Sequence, residues 1–272
     1  MQEKARIQVS EASGGHPDLL IVTGAGRGIG KAIALDMAKF SSVLCISRSD
    51  SAKETAEEIR NSGGRAEALV LDLEDFRNAE TVIDSWIRKS EFKRIAAVFA
   101  AAILGPQGPL IGCSLTDWDR TFRVNVLGNL AVARAILPVQ RENRFGRLLF
   151  FAGGGAAYAY PVFPAYAATK SALVRIVENL HQDLKDEGDF ATAILAPGAV
   201  QTDTLAMVRA SGAEIRTTVP IAEPVAFARE FILSQYCAFS GCFVHVRDEW
   251  RQYLRPETEL PKKDLWKLRR VE

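Results

Sequence analysis

The stretch LLIVTGAGRGIGKAIALDMAKF, Leu19 to Phe40, decides the fold. It opens with a short apolar run, Leu19 to Gly24, the pattern of a buried strand. Apolar groups at Ile29, Ile33, Ala34 and Met37 then take helical spacing. The link between them is TGAGRGIG, with Gly24, Gly28 and Gly30. Glycines permit a tight turn and let backbone approach a phosphate closely. The helix N-terminus that follows offers free N–H groups and a partial positive charge. A lone glycine pattern also suits a plain strand-to-helix turn, so the flanking strand and helix carry the argument.

Working outward, strand-length apolar runs alternate with helical patterns. SVLCIS (Ser42–Ser47) reads as the second strand and SAKETAEEIRNSGG as a helix stopped by Gly63 and Gly64. AEALVLD is a strand and FRNAETVIDSWIRKS a helix; RIAAVFAAA is a strand before a Gly/Pro-rich loop, Leu104 to Gly112. A long helix is expected from about Thr116 to Asn143, disturbed near Pro138. GRLLFFA is the fifth strand, PAYAATKSALVRIVENLHQDLKDEG a long helix, and FATAILAPG the sixth strand. A less regular stretch is expected from Thr202 to about Pro220, then a helix near Pro224–Gln235 and a strand GCFVHV. This alternation implies one α/β Rossmann-type domain: a doubly wound parallel sheet of about seven strands with helices on both faces. The expected layout is an N-terminal extension (1–17), the domain (18–247) and a charged C-terminal tail (248–272) with Trp250 and Trp266.

The chain has 272 residues, 48% of them apolar, enough for a large core. A formal net charge of +1 makes no case for nucleic acid or a membrane surface. No run approaches about eighteen consecutive apolar residues, so no membrane span is expected. The start, MQEKARIQVSEASGGHPD, lacks an apolar signal core, and a cytoplasmic protein is the simplest reading. The cysteines, Cys45, Cys113, Cys237 and Cys242, form no CxxC, and only His16, His181 and His245 could join them, so no metal site is expected.

Four motifs fall in order: the T-G-x-x-x-G-x-G turn, Asn125 in FRVNVLGN, YAATK (Tyr166–Lys170) and PGAVQT (Pro197–Thr202). Together they resemble the short-chain dehydrogenase/reductase family, in its short single-domain branch, from Leu19 to Val246. The resemblance implies an NAD(P)-dependent oxidoreductase acting on a small carbonyl or alcohol substrate. It places Gly24, Arg27, Gly28, Ile29 and Gly30 at the cofactor, with Ala100 on the wall beside it. It implies that Pro197 and Gly198 shape the wall at the nicotinamide, where Val200 and Thr202 bind the carboxamide. Family members pair through their long helices, so a homodimer or homotetramer is expected; Leu130, Ile136, Leu173 and Ile176 supply apolar faces.

The second strand ends in SRSD, where an acidic residue would favour NAD. Ser47, Arg48 and Ser49 instead suit a 2′-phosphate, and Arg27 could add charge. NADP is therefore the preferred cofactor, with NAD possible. Asp72 matches a position that bonds the adenine amino group, with the Leu73 backbone beside it; it could equally cap the next helix.

Tyr166 and Lys170 stand four apart on one helix face. A free tyrosine has a pKa near ~10; an adjacent ammonium and a cationic nicotinamide favour its phenolate. Protonated, the same tyrosine is an acid for carbonyl reduction. The resemblance gives Lys170 the nicotinamide ribose hydroxyls, and Asn125 a relay water through an irregularity in the long helix.

Two positions depart from the family pattern. An expected NNAG reads Phe99, Ala100, Ala101 and Ala102, which removes hydrogen bonds that steady the sheet. The usual catalytic serine, 13 residues before Tyr166, is Gly153, and neither Ala152 nor Gly154 has a hydroxyl. One lost donor of that kind costs roughly a hundred-fold to a thousand-fold in rate. Three readings follow: an oxidoreductase whose substrate oxygen is held by water or another group, Tyr158 and Tyr160 being near in sequence; a catalytically attenuated cofactor-binding subunit or sensor; and a non-redox sugar-nucleotide isomerase. The segment 203–222 is expected to be a substrate lid, in which Arg209 and Arg216 face either an anionic substrate or water.

Overall fold

The computed structural model describes residues 15–212, 215 and 217–269. Seven strands form one parallel sheet: β1 (Leu19–Thr23), β2 (Ser42–Ser47), β3 (Ala66–Val70), β4 (Ile95–Phe99), β5 (Phe145–Phe151), β6 (Asp189–Ala196) and β9 (Cys242–His245). Their order is β3-β2-β1-β4-β5-β6-β9. The chain leaves β1 to one side for β2 and returns to the other side for β4. That reversal is the topological switch point, where the crevice at the strand C-termini opens.

Successive side chains on a strand point to opposite faces, so each strand feeds two cores. Leu20, Val22, Val43, Cys45, Ala96 and Val98 face one layer. It holds α1 (Gly28–Met37), α2 (Ser51–Asn61) and α8 (Ala222–Leu233). Leu19, Ile21, Leu44, Ile46, Ala97 and Phe99 face the other. That layer holds α3 (Phe76–Arg88), α5 (Asn129–Glu142) and α6 (Pro164–Leu184). The seven-stranded, doubly covered sheet is as the sequence implies.

The long fourth helix differs from its expectation. It is α4 (Leu115–Phe122), a π-helical turn (Arg123–Gly128) and then α5. The disturbance lies at Asn125, where the resemblance implied an irregularity, and not at Pro138, which sits inside α5. Pro138 is exposed, so the Arg134 carbonyl that it leaves unpaired can face water. The run Leu115–Glu142 is long and apolar enough to cross a membrane by length and composition, yet 56% of its most apolar window is buried inside the molecule. It is a core helix of this fold.

The segment after Thr202 is also more regular than expected. It holds α7 (Asp203–Ala210), bracketed by a short parallel pair, β7 (Ala199–Val200) and β8 (Thr218–Val219). Arg216 and residues 1–14 of the extension lie outside the described residues. Of the apolar residues offered for pairing, Ile136 and Leu173 are buried on the sheet; Leu130 and Ile176 are only partly covered.

The tail packs on its own chain. Trp250 is 1% exposed, its ring centroid lies 4.6 Å from that of Phe227, and its indole N–H donates to the Val246 carbonyl at 3.2 Å. Trp266 packs edge-on to Phe239 and Tyr253. Its carbonyl accepts from Phe243 N at 2.7 Å, covering the free edge of β9. Removing a fully buried indole costs about 3–5 kcal/mol. Trp250→Ala should lower stability in urea by that amount; an unchanged midpoint would remove the tail from the core.

Candidate active site

The glycine turn is held against the end of β4. Gly24 has φ +69°, and a Cβ there would lie 2.8 Å from Ala101 N. A Cβ on Gly30 would lie 2.4 Å from the Gly24 carbonyl oxygen and 3.4 Å from Ala100 Cβ. No side chain fits either place, so the turn, with Ile29 opening α1, is compact and its α1 N-terminus faces the crevice. The stretch Phe99–Ala102 lacks asparagines, and other residues do the stitching. Thr23 Oγ1 donates to Asn129 Oδ1 at 2.8 Å, Asn129 Nδ2 donates to the Ala101 carbonyl at 3.1 Å, and Ala101 N donates to Thr23 Oγ1 at 3.2 Å. Sequence reasoning missed both partners. Asn129 stands four after Asn125, hence on the same helix face, and that spacing was the available signal.

Asn125 is fully buried. Its side chain accepts from Ile103 N at 2.8 Å and donates to the Ile103 carbonyl at 2.9 Å and to Thr169 Oγ1 at 3.1 Å. The Thr169 hydroxyl donates in turn to the Tyr166 carbonyl at 2.6 Å. The π-helical turn therefore ties the strand β4 exit to the helix that carries Tyr166 and Lys170.

Lys170 is 2% exposed. Its ammonium donates to the Phe151 carbonyl at 2.7 Å and lies 5.3 Å from the Tyr166 ring centroid. Burial with no carboxylate beside it lowers its pKa to about 7. Tyr166 moves the other way: burial first, then the nearby Tyr160, raises its phenol to about 12. Gly153 faces this phenol, since a Cβ built on it would lie 3.2 Å from Tyr166 Oη. Its φ of −170° is ordinary extended backbone, so chain geometry does not demand glycine there.

At the end of β2 the hydroxyls of Ser47, Ser49 and Ser51 form a cluster. Ser51 lies 3.2 Å from Ser47 and 2.9 Å from Ser49, and a Cβ on Gly26 would strike its oxygen. Ser51 was not foreseen. Arg48 has no partner among the described residues and lines a cleft of about 400 Å³ with Leu104, Gln107, Asp117, Phe163 and Met207. Asp50 is turned away to Lys53 at 2.6 Å. Arg27 reaches the first turn of α7 instead, pairing with Asp203 at 3.1 Å. Asp72 accepts from Glu74 N at 3.0 Å, while α3 is capped by Asp75; the capping alternative for Asp72 is thereby set aside. The Leu73 carbonyl packs against Gly128 of the π-helical turn.

Pro197 and Gly198, the latter at φ +72°, turn the chain into β7. The buried Val200 offers its carbonyl to the Thr202 hydroxyl at 3.2 Å, and Thr202 Oγ1 accepts from Leu205 N at 3.4 Å as the N-cap of α7. Thr202 Cγ2 would lie 3.3 Å from a Cβ on Gly28, so the glycine turn and the N-terminus of α7 meet.

Lys170 sets a test by linkage. Its folded pKa of about 7 is below its ordinary 10.5. Between these values the unfolded chain binds the extra proton, so this group makes stability rise with pH. Lys170→Met should stabilise the fold most at pH 7 and progressively less toward pH 10, in paired urea titrations. A pH-independent difference would contradict the lowered value.

Residues 18–212 match the family described as short chain dehydrogenase. Sulfoacetaldehyde reductase 2 of Chromohalobacter salexigens is 32% identical over 77% of this chain and 85% of its own. An NADPH-dependent aldehyde reductase-like protein of Arabidopsis thaliana is 29% identical, covering 67% of this chain and 72% of its own. The crystal structure of a provisionally named NAD(P)-dependent gluconate 5-dehydrogenase from Beutenbergia cavernae, with NADP at low occupancy, superposes with a TM-score of 0.78 at 29% identity, covering 89% of this chain and 98% of that one. A parallel sheet with a glycine turn at its switch point, together with these likenesses, establishes that the chain belongs to the short chain dehydrogenase family and is an NAD(P)-dependent oxidoreductase.

Proposed function

We propose that this protein interconverts a small carbonyl compound and its alcohol, with NADP as the preferred cofactor and Tyr166 as acid and base. The observation that carries this is the retained pair: Tyr166 and Lys170 lie together, Lys170 buried and Tyr166 half-buried, with the Tyr166 carbonyl tied through Thr169 to Asn125. An attenuated subunit or sensor would not need a proton-handling tyrosine, and the isomerase reading has no observation in its favour.

The cofactor fits the residues present. A free guanidinium on Arg48 and three serine hydroxyls beside the N-terminus of α2 suit a 2′-phosphate. The N-terminus of α1 suits the pyrophosphate. Asp72 and Leu73 lie at the adenine end, and Val200 and Thr202 at the carboxamide end. The nicotinamide, when bound, supplies or takes the hydride.

The chain's own residues do the rest. A phenol raised to about 12 keeps its proton at neutral pH, the state that delivers a proton to the substrate oxygen during reduction. In the alcohol-oxidising direction the phenolate is needed, and positive charge beside it favours that form. Lys170 holds its nitrogen at the Phe151 carbonyl, ready to meet the ribose hydroxyls and pass protons onward. Gly153 stands where the family serine would, and its missing side chain leaves the substrate oxygen one donor short.

Two measurements test the reading. Tyr166→Phe should abolish NADPH oxidation against a broad aldehyde and ketone panel while leaving NADPH affinity within about twofold by fluorescence titration; turnover that survives refutes it. A charge-assisted hydrogen bond contributes about 1.5–3 kcal/mol. Arg48→Ala should therefore weaken NADPH about tenfold or more and leave NADH nearly unchanged; equal effects on both would remove Arg48 from the 2′-phosphate site.

A further inference from the structure

We propose that Tyr160 is a catalytic residue of this enzyme: its phenol donates to the substrate oxygen the hydrogen bond that Gly153 cannot give. The inference rests on the oxidoreductase reading above and assigns the missing donor to a different element.

The segment after Gly153 folds back over the helix that bears Tyr166. A 3₁₀ turn, Gly154–Ala156, starts the return, and the Ser171 hydroxyl ties it to α6 by donating to the Ala156 carbonyl at 3.3 Å. Tyr160 Cβ comes within 3.2 Å of where a Gly155 Cβ would lie, so the absence of a side chain at Gly155 lets Tyr160 seat close to this turn. The Tyr160 carbonyl accepts from Phe163 N at 3.2 Å, and the two rings lie 5.9 Å apart. Phe163 lines the cleft with Leu104 and Met207. Tyr160 is half-buried, whereas Tyr158, the other tyrosine of the segment, is 80% exposed.

The Tyr160 hydroxyl has no hydrogen-bond partner among the described residues. The hydroxyl is open to solvent, so a substrate oxygen would take the place of water there. Burial raises its pKa, so it stays protonated at neutral pH. It also stands within electrostatic reach of Tyr166, whose phenolate it disfavours. The neighbouring hydroxyls already donate elsewhere: Thr121 to the Asp117 carbonyl, Thr169 to that of Tyr166 and Thr202 to that of Val200.

In carbonyl reduction the substrate carbon gains the hydride and the C–O π pair moves onto oxygen. The Tyr166 O–H bond breaks to protonate that oxygen, and the nicotinamide is oxidised as the carbonyl is reduced. The Tyr160 O–H bond stays intact throughout; its hydrogen bond strengthens as charge develops on the substrate oxygen.

Four proteins test this: the wild type, Tyr160→Phe, Gly153→Ser and the double variant, with Tyr158→Phe as the exposed control. The substrate is whichever carbonyl compound of the panel the wild type turns over fastest. Tyr160→Phe should lower kcat/KM about a hundred-fold, mostly in kcat, with thermal midpoint and NADPH affinity unchanged. Adding Gly153→Ser to it should bring the rate back to within about threefold of wild type, because the serine hydroxyl would enter beside Tyr166. Tyr158→Phe should change nothing. A fall of less than about threefold in Tyr160→Phe, or a loss that Gly153→Ser does not repair, overturns the assignment. A wild type that is inactive until Gly153→Ser is introduced overturns it too, since Tyr160 would then not replace the serine. None of these outcomes resembles failure of the oxidoreductase reading itself, which is turnover that persists in Tyr166→Phe.

Discussion

The whole site depends on one close approach of backbone to backbone. Gly24 and Gly30 bring the first turn against Ala100 and Ala101 at the end of β4. The crevice at the switch point exists because nothing projects there. A β-carbon on Gly24 would require φ +69° and would meet Ala101 N at 2.8 Å, so strain and clash would act together. The rest of the site follows from that contact. Ala101 is fixed by Thr23 and Asn129, Asn129 by the π-helical turn, and Asn125 in that turn reaches Thr169 between Tyr166 and Lys170. Two elements far apart in sequence are thus held by one short chain of buried hydrogen bonds, each costly to leave unmade.

The parts of this arrangement that local sequence encodes were legible in it. Runs such as LLIVT and SVLCIS, each closed by a turn signal, declare strands, and the spacing of Ile29, Ile33 and Met37 declares a helix. Their alternation allows few topologies. The lysine and tyrosine share a face because they are four apart. What was not legible lies in contacts between distant segments. Pro138 looked like a weak point of the long helix, yet its exposed face tolerates it; the irregularity that the resemblance implied at Asn125 is the one that forms, at Arg123–Gly128, where Asn125 reaches Ile103 and Asn129, just after the turn, reaches Ala101, both in the chain beyond β4. Ser51 reads as a helix-start serine until the fold brings it against Gly26. Arg27 reads from the sequence as added charge at the 2′-phosphate, and only the fold shows Asp203 close enough to pair with it. With both partners about 70% exposed, that pair contributes little to stability.

The pair at the centre is tuned by burial in opposite directions. Desolvation disfavours whichever form is charged. It lowers Lys170 to about 7 and raises Tyr166 to about 12, so both side chains drift toward neutrality. In that state the phenol keeps its proton and the lysine gives up its charge readily, which suits the acid role proposed for Tyr166 in reduction. The opposite direction requires the phenolate, which this pocket does not stabilise unaided. Positive charge arriving beside Tyr166 is then the determining influence, and reversal of the reaction becomes coupled to the charge of the bound nicotinamide and not to bulk pH alone.

Gly153 acquires its meaning from this tuning. An extended backbone would accept serine there without strain, yet a β-carbon would crowd Tyr166 Oη at 3.2 Å. Its absence gives the phenol room; under the role proposed for Tyr160, the donor to the substrate oxygen comes instead from seven residues further on. A phenol on a longer arm holds an oxygen farther from the β5 backbone than a serine can. On that proposal a substrate carbonyl would sit toward Phe163 and Met207, which line the cleft. Substrate choice would then follow from where the donor stands as much as from the walls around it.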